Sequence, residues 1–163
     1  MGPSGCGKST VGRKAASLAH AGFVEADDHH TDEARARMAR GEALSDDDRS
    51  PWIVRVARAA NAVPKERVVL ACSALSPRVR RELTAGLRFP VRFALLDVPA
   101  EELARRLSAR AHHFVGPSLL ASQLAALKAQ DAVRVDGTLP PEEAAARVAA
   151  LLSEEPRPQP PLT

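Results

Sequence analysis

Aromatic side chains are scarce in this sequence: one Trp, four Phe and no Tyr, 3% of 163 residues. A core made with so few rings must be aliphatic, built from Leu, Val and Ala. Few platforms remain on which nucleic-acid bases could stack. Acidic and basic residues are interspersed, so a net charge of +3 and a pI near 9.3 do not form a basic stripe. No nucleic-acid partner is expected; the arginines suit small anions instead. Cysteine is nearly absent. Cys6 and Cys72 cannot build a disulfide framework and read as reduced thiols. No apolar run approaches the ~20 residues that span a bilayer, so no membrane partner is expected. No basic stretch leading into an apolar one opens the sequence, which sets the expectation of a cytoplasmic protein.

What is present is ordinary for a folded domain: 45% hydrophobic and 26% charged residues. These values exclude global disorder, a collagen-like chain and a coiled coil. The length fits one domain, assigned to residues 1–153, able to bury roughly 70% of its extended surface. Residues 154–163 hold four prolines and read as a solvated tail.

Helices and strands alternate along the chain. A breaker-poor, Ala-rich stretch predicts a helix over 8–20, and Phe23 to Ala26 a short strand ending at Asp27. Thr31 or Asp32 caps a helix to about Arg40, stopped by Gly41. Asp46 to Ser50 reads as a polar turn, with Pro51 at the first position of a helix to about Ala62. Val68 to Cys72 is a continuous apolar run, as in a strand covered on both faces. Ser76 caps a helix that begins at Pro77. A strand over Val91–Leu96 ends at Asp97, and Pro99 opens a helix through about Arg106. Another helix covers 117–127, a last strand Ala132–Val135, and a last helix follows Pro140 and Pro141. Such alternation predicts an α/β fold: a parallel sheet sandwiched by helices.

The sharpest motif is at the start. Gly2-Pro3-Ser4-Gly5-Cys6-Gly7-Lys8-Ser9, followed by Thr10, fits G-x-x-x-x-G-K-[ST] completely. Average composition gives a chance match in a chain this long of about one in two hundred. Glycines let successive amides converge on phosphate oxygens, and the next helix points its positive dipole end at the same place. Lys8 then reaches the β/γ-phosphates of ATP, and Ser9 holds Mg²⁺. The motif ordinarily follows a buried strand, and only Met1 precedes it here. That strand would carry four or five apolar residues, worth of order 10 kcal/mol in total. The expectation is therefore that Met1 is an internal methionine and that the first strand lies upstream.

Asp27 ends the first visible strand, at the sheet edge where α/β proteins bind ligands. A carboxylate there can orient an acceptor hydroxyl and take its proton. Asp27-Asp28-His29-His30 also invites a metal reading. The other His pair, His112-His113, is distant and no zinc-type spacing exists, so these histidines read as polar loop residues.

Several segments resemble the gluconokinase family, P-loop small-molecule kinases. They are Ala26 to His30, Met38 to Trp52 with Asp46-Asp47-Asp48-Arg49 and Pro51-Trp52, Ala71 to Leu75 with Arg80, Arg110 to Phe114, and Leu119 to Gln123. The resemblance implies ATP- and Mg²⁺-dependent phosphorylation of gluconate on its 6-hydroxyl. It also implies Asp27 as the acceptor-side acid, Arg49 and Arg80 in the substrate pocket, and a lid over about 106–127. His113 and Phe114 fall in that lid, with His113 beside substrate. Gluconate is a carboxylate polyol, and a guanidinium fork suits its carboxylate independently. Arg106 and Arg110, four residues apart on one helix face, can clamp the moving phosphoryl group. Trp52 reads as a packing residue. A homodimer is the one protein partner this reading admits.

The chain departs from the family pattern at His29, Thr31, Ala43, Val79 and His112, and its connection over Lys128-Ala129-Gln130-Asp131 is short. Two alternatives stand beside the first reading: another small-molecule kinase of the same fold, shikimate-kinase-like, and a nucleotide-binding module without turnover. ATP consumption with and without gluconate separates the three.

Overall fold

The computed structural model describes residues 1–109 and 117–154. Its elements run α1 (Lys8–Leu18), β1 (Gly22–Glu25), a 3₁₀ turn (Ala26–His29), α2 (Asp32–Ala39), α3 (Asp46–Ala62) and β2 (Val68–Ala71). They continue with α4 (Pro77–Gly86), β3 (Ala94–Asp97), α5 (Ala100–Ser108), α6 (Pro117–Ala126), β4 (Val133–Asp136) and α7 (Pro141–Leu151). The expected alternation holds, with ends shifted by one to three residues. The tail from 155 onward, like Arg110 and His113, lies outside the described residues.

The acidic run departs from expectation. Asp46 to Ser50 is not a turn but the opening of α3, and Pro51 sits inside that helix rather than at its start. Ser45 explains this: its hydroxyl accepts from the Asp48 amide, and the Asp48 carboxylate accepts from the Ser45 amide. This reciprocal cap, with three aspartates in the first turn, suits the positive end of the helix dipole. Pro51 cannot donate to the Asp47 carbonyl, but so near the helix start the loss is tolerated. The Ser50 hydroxyl donates to the neighbouring Asp46 carbonyl at 3.3 Å.

All strand pairs are parallel. Phe23 lies opposite Val69 and Val24 opposite Leu70; Leu95 lies opposite Arg134 and Leu96 opposite Val135. Helices cover both faces. One apolar cluster joins Val11 and Ala15 of α1 to Leu103, Leu107, Leu120 and Ala144. A second joins Trp52, Ile53 and Val56 of α3 to Val79, Leu83 and Phe93.

The sheet differs from expectation in one respect. It is divided into β1–β2 and β3–β4, and among the described residues no strand joins β2 to β3. Val68, Val69 and Leu70, expected to be covered on both faces, are only half-buried. Met1 and Gly2 bridge the halves at one end. The Met1 amino group donates to the Ala94 carbonyl, Leu96 N–H donates to the Met1 carbonyl at 3.0 Å, and Gly2 N–H donates to the Ser73 carbonyl at 3.2 Å.

The Ser45 cap is testable. Ser45→Ala is expected to lower stability by about 1 kcal/mol, read from chemical denaturation, with Ser45→Asp restoring most of it.

Candidate active site

The phosphate loop is built as its sequence demands. Gly5 and Gly7 take φ of 86° and 99°, left-handed values that favour glycine. Gly7 caps α1, and the Val11 amide returns to its carbonyl at 2.9 Å. A Cβ on Gly5 would stand 3.2 Å from Leu107 Cγ, so the loop is also seated tightly on α5. The Lys8 ammonium donates to the Pro3 carbonyl at 3.0 Å, across the concavity it encloses. Ser9 and Thr10 are exposed on the first turn of α1.

A second helix grips the loop. Ser4 N–H donates to Gln123 Oε1 at 2.8 Å, and Gln123 Nε2 donates to the Ser4 hydroxyl at 3.1 Å. Gln123 lies in a stretch noted for family resemblance, but nothing in the sequence pairs it with a residue 119 positions away.

Asp27 projects from the 3₁₀ turn that follows β1 and is 65% exposed. The turn is braced from behind. The Trp52 indole, 2% exposed, donates to the Ala26 carbonyl at 2.8 Å, and Arg55 donates to the His29 carbonyl at 2.9 Å. The His30 ring stacks on Trp52 at 4.5 Å, and its side chain is only 7% exposed. Burial holds the His30 pKa below the usual value; Asp27 opposes this, while Arg35, Arg55 and Arg49 add to it. His30 is therefore a neutral wall of the site.

Glu25 is the carboxylate that sequence reasoning missed. Burial raises its pKa, the Ser9 hydroxyl and Lys8 lower it, and Asp27 and Asp28 raise it. Its Oε1 is buried without a partner. The available signal was its position two residues before Asp27, at the same strand end. Ser9 and Glu25 together offer hard oxygen atoms suited to Mg²⁺. Among the described residues, no three His, Cys, Asp or Glu side chains converge as a metal cage. Burial pushes the Cys72 thiol up to about 12, with Asp27 contributing, so it is inert.

The arginines divide by what they touch. Arg49 donates to Asp46 at 2.9 Å, and Asp46 also accepts from the Ser76 hydroxyl at 3.0 Å, linking α3 to the cap of α4. Arg80 is 1% exposed and fully engaged by the protein. It donates to both Asp131 carboxylate oxygens, at 2.9 and 2.8 Å, to the Ala74 and Leu75 carbonyls, and to the Lys128 carbonyl. Its guanidinium thus ties the Cys72–Leu75 loop to the short 128–131 connection. Arg106 donates to Glu102 at 2.7 Å and to the Gly137 carbonyl at 3.1 Å. Hydrogen bonds from Arg105 and Arg106 hold Glu102 down to about 2.

Known proteins resemble this chain in sequence and in fold. Residues 1–134 fit the family model described as an AAA domain. The thermosensitive gluconokinase of Escherichia coli (strain K12) is 38% identical over 143 residues, covering 83% of this chain and 76% of that one. The chain belongs to the gluconokinase family. As a member it is a kinase, a phosphotransferase with an alcohol acceptor. An unliganded sugar kinase from Janibacter sp. HTCC2649 superposes with a TM-score of 0.83 at 38% identity, covering 96% of this chain and 93% of that one. A gluconokinase from Sinorhizobium meliloti 1021 gives 0.78 at 34% identity, covering 94% and 91%. Lys8, Ser9 and Asp27 all act electrostatically on Glu25, whereas Arg80 is enclosed by Asp131 and the carbonyls of Ala74, Leu75 and Lys128.

Two outcomes follow from these contacts. Arg80→Ala leaves the Asp131 charge and several carbonyls unpaired in the interior, and is expected to cost about 3–5 kcal/mol in denaturant unfolding. Because the folded pKa of His30 lies below its unfolded value of 6.5, its contribution is complete above that pH and fades on acidification. His30→Phe, which keeps the stack on Trp52, is expected to flatten the fall in melting temperature between pH 7 and 5.

Proposed function

We propose that this chain transfers the γ-phosphoryl group of ATP to the 6-hydroxyl of D-gluconate, giving ADP and 6-phospho-D-gluconate. The observation that carries the reading is the convergence of a complete phosphate loop with Asp27 at one sheet edge, in a chain 38% identical to a gluconokinase. Residues Gly2, Pro3, Ser4, Gly5, Cys6, Gly7, Lys8, Ser9 and Thr10 cradle the nucleotide phosphates. Lys8 exchanges the Pro3 carbonyl for phosphate oxygens and offsets the charge that develops on them. Ser9, with Glu25 behind it, would hold Mg²⁺, which supplies charge neutralisation on the phosphates.

Asp27 accepts the hydrogen bond of the acceptor hydroxyl and takes its proton as the oxygen–phosphorus bond forms and the bond to the ADP oxygen breaks. Neutral His30 adds no competing positive charge beside this carboxylate. Arg49 pairs with the gluconate carboxylate, bidentate geometry giving selectivity over neutral sugars. Arg80 serves that pocket by holding the Cys72–Leu75 loop. Arg106 is assigned to clamp the transferring group; Arg110, assigned to the same clamp, and His113, assigned to substrate binding, lie outside the described residues.

The direct experiment is gluconate-dependent ADP release. Stimulation by gluconate supports the proposal. Stimulation only by another hydroxy acid, or ATP binding without turnover, overturns it. Asp27→Asn is expected to lower kcat ~10²–10⁴-fold while the KM for ATP moves little. Lys8→Ala is expected to lower kcat ~10²–10³-fold. Unchanged rates would remove each residue from the chemistry.

A further inference from the structure

The Pro3–Ser4 peptide of the phosphate loop is held from two sides. It is trans, so its carbonyl and its N–H point in opposite directions. The carbonyl accepts from the Lys8 ammonium at 3.0 Å and from the Cys6 N–H at 3.3 Å. The N–H donates to Gln123 Oε1 at 2.8 Å, and Gln123 Nε2 donates to the Ser4 hydroxyl at 3.1 Å. One planar side-chain amide thus engages two groups of a single loop residue. Gln123 is half-buried in α6, a helix otherwise made mostly of Leu and Ala. That helix is well anchored. Leu120 and Leu124 pack with Cys6, Leu103 and Leu107, and Gly5 of the phosphate loop lies against Leu107 of the same cluster. Just beyond α6 the Lys128 N–H donates to the Leu75 carbonyl at 3.1 Å, and Arg80 donates to the Lys128 carbonyl. Gln123 is therefore a fixed point, whereas the Lys8 ammonium ends a flexible four-carbon stem.

We infer that Gln123 is a positioning residue for phosphoryl transfer: it holds the Pro3–Ser4 peptide in place while Lys8 leaves the Pro3 carbonyl for phosphate oxygens. Once Lys8 has moved, Gln123 is the one side chain among the described residues still bonded to that peptide. Without Gln123 the peptide would have Lys8 as its side-chain partner, and releasing the ammonium would loosen the loop at the moment nucleotide enters. The ordering cost would then be set against affinity; a loop held in advance avoids it. The residue acts through Lys8 and needs no contact with nucleotide of its own.

This role rests on the proposed move of Lys8 to phosphate, so the test reads nucleotide binding and needs neither gluconate nor turnover. Affinity for β,γ-imido-ATP is measured by calorimetry in a double-mutant cycle of Lys8→Ala and Gln123→Leu. Alone, Gln123→Leu is expected to weaken binding roughly tenfold and to speed exchange of the Ser4 amide by a similar factor. Gln123→Glu, which keeps an acceptor for that amide, should preserve its protection. In the Lys8→Ala background Gln123→Leu is expected to change affinity by less than about twofold, because no ammonium remains to be released. A generally loosened fold would weaken binding equally in both backgrounds, and that result overturns the role. So does a Ser4 amide whose exchange is the same with and without Gln123. If Lys8→Ala alone leaves affinity unchanged, the assignment of Lys8 falls and this role with it. Should Gln123→Leu not fold, Gln123→Met takes its place in the same cycle.

Discussion

Three backbone hydrogen bonds at Met1 and Gly2 tie the phosphate loop to both halves of the sheet. The loop begins where these bonds end, so its origin in space is set by β2 and β3 together. From that anchor α1 departs at Gly7 and packs on α7, and the positive end of its dipole faces the concavity. Because β1 pairs in parallel with β2, its carboxyl end arrives at the same edge and delivers Glu25 and Asp27 beside Lys8 and Ser9. The meeting of the phosphate loop with this strand end is thus a consequence of parallel pairing plus one tether. Weakening the tether would separate the phosphate loop from the strand end that carries Glu25 and Asp27.

The turn that carries Asp27 is held by a different device. Backbone carbonyls of the 26–30 turn accept from the Trp52 indole and from Arg35 and Arg55, so the turn is fixed by side chains rather than by a ladder. Beneath the neighbouring loop, Arg80 does the same for Ala74 and Leu75, at a point where Ala74 adopts φ of 45°. Removing Trp52 or Arg80 would leave buried carbonyls without donors, a larger penalty than losing an exposed ion pair. This explains why a guanidinium with 1% exposure sits beneath that loop.

Much of this was legible in advance where a residue type has one physical use. The glycines of the loop, Ser76 with Pro77 at a helix start, and Gly41 after α2 were all read correctly because backbone sterics permit few alternatives. The start of α3 was misread because Pro51 resembles a first-turn proline, while the Ser45–Asp48 reciprocal cap depends on a geometry that spacing only hints at. Glu25 was missed because a carboxylate at a strand end looks like solvated polarity until burial leaves one of its oxygens without a partner.

By itself the sequence determined the parallel α/β architecture, the phosphate loop and the acidic strand end, since these follow from local sterics and from the period of apolar residues. Only the tertiary structure decided which arginines face outward and which are enclosed, because Arg49 and Arg80 differ in nothing but the partners that long-range packing brings to them. It alone also showed that, among the described residues, β2 and β3 do not pair. A strand's sequence records its own faces, but whether a neighbour lies along its edge is a property of the assembled sheet.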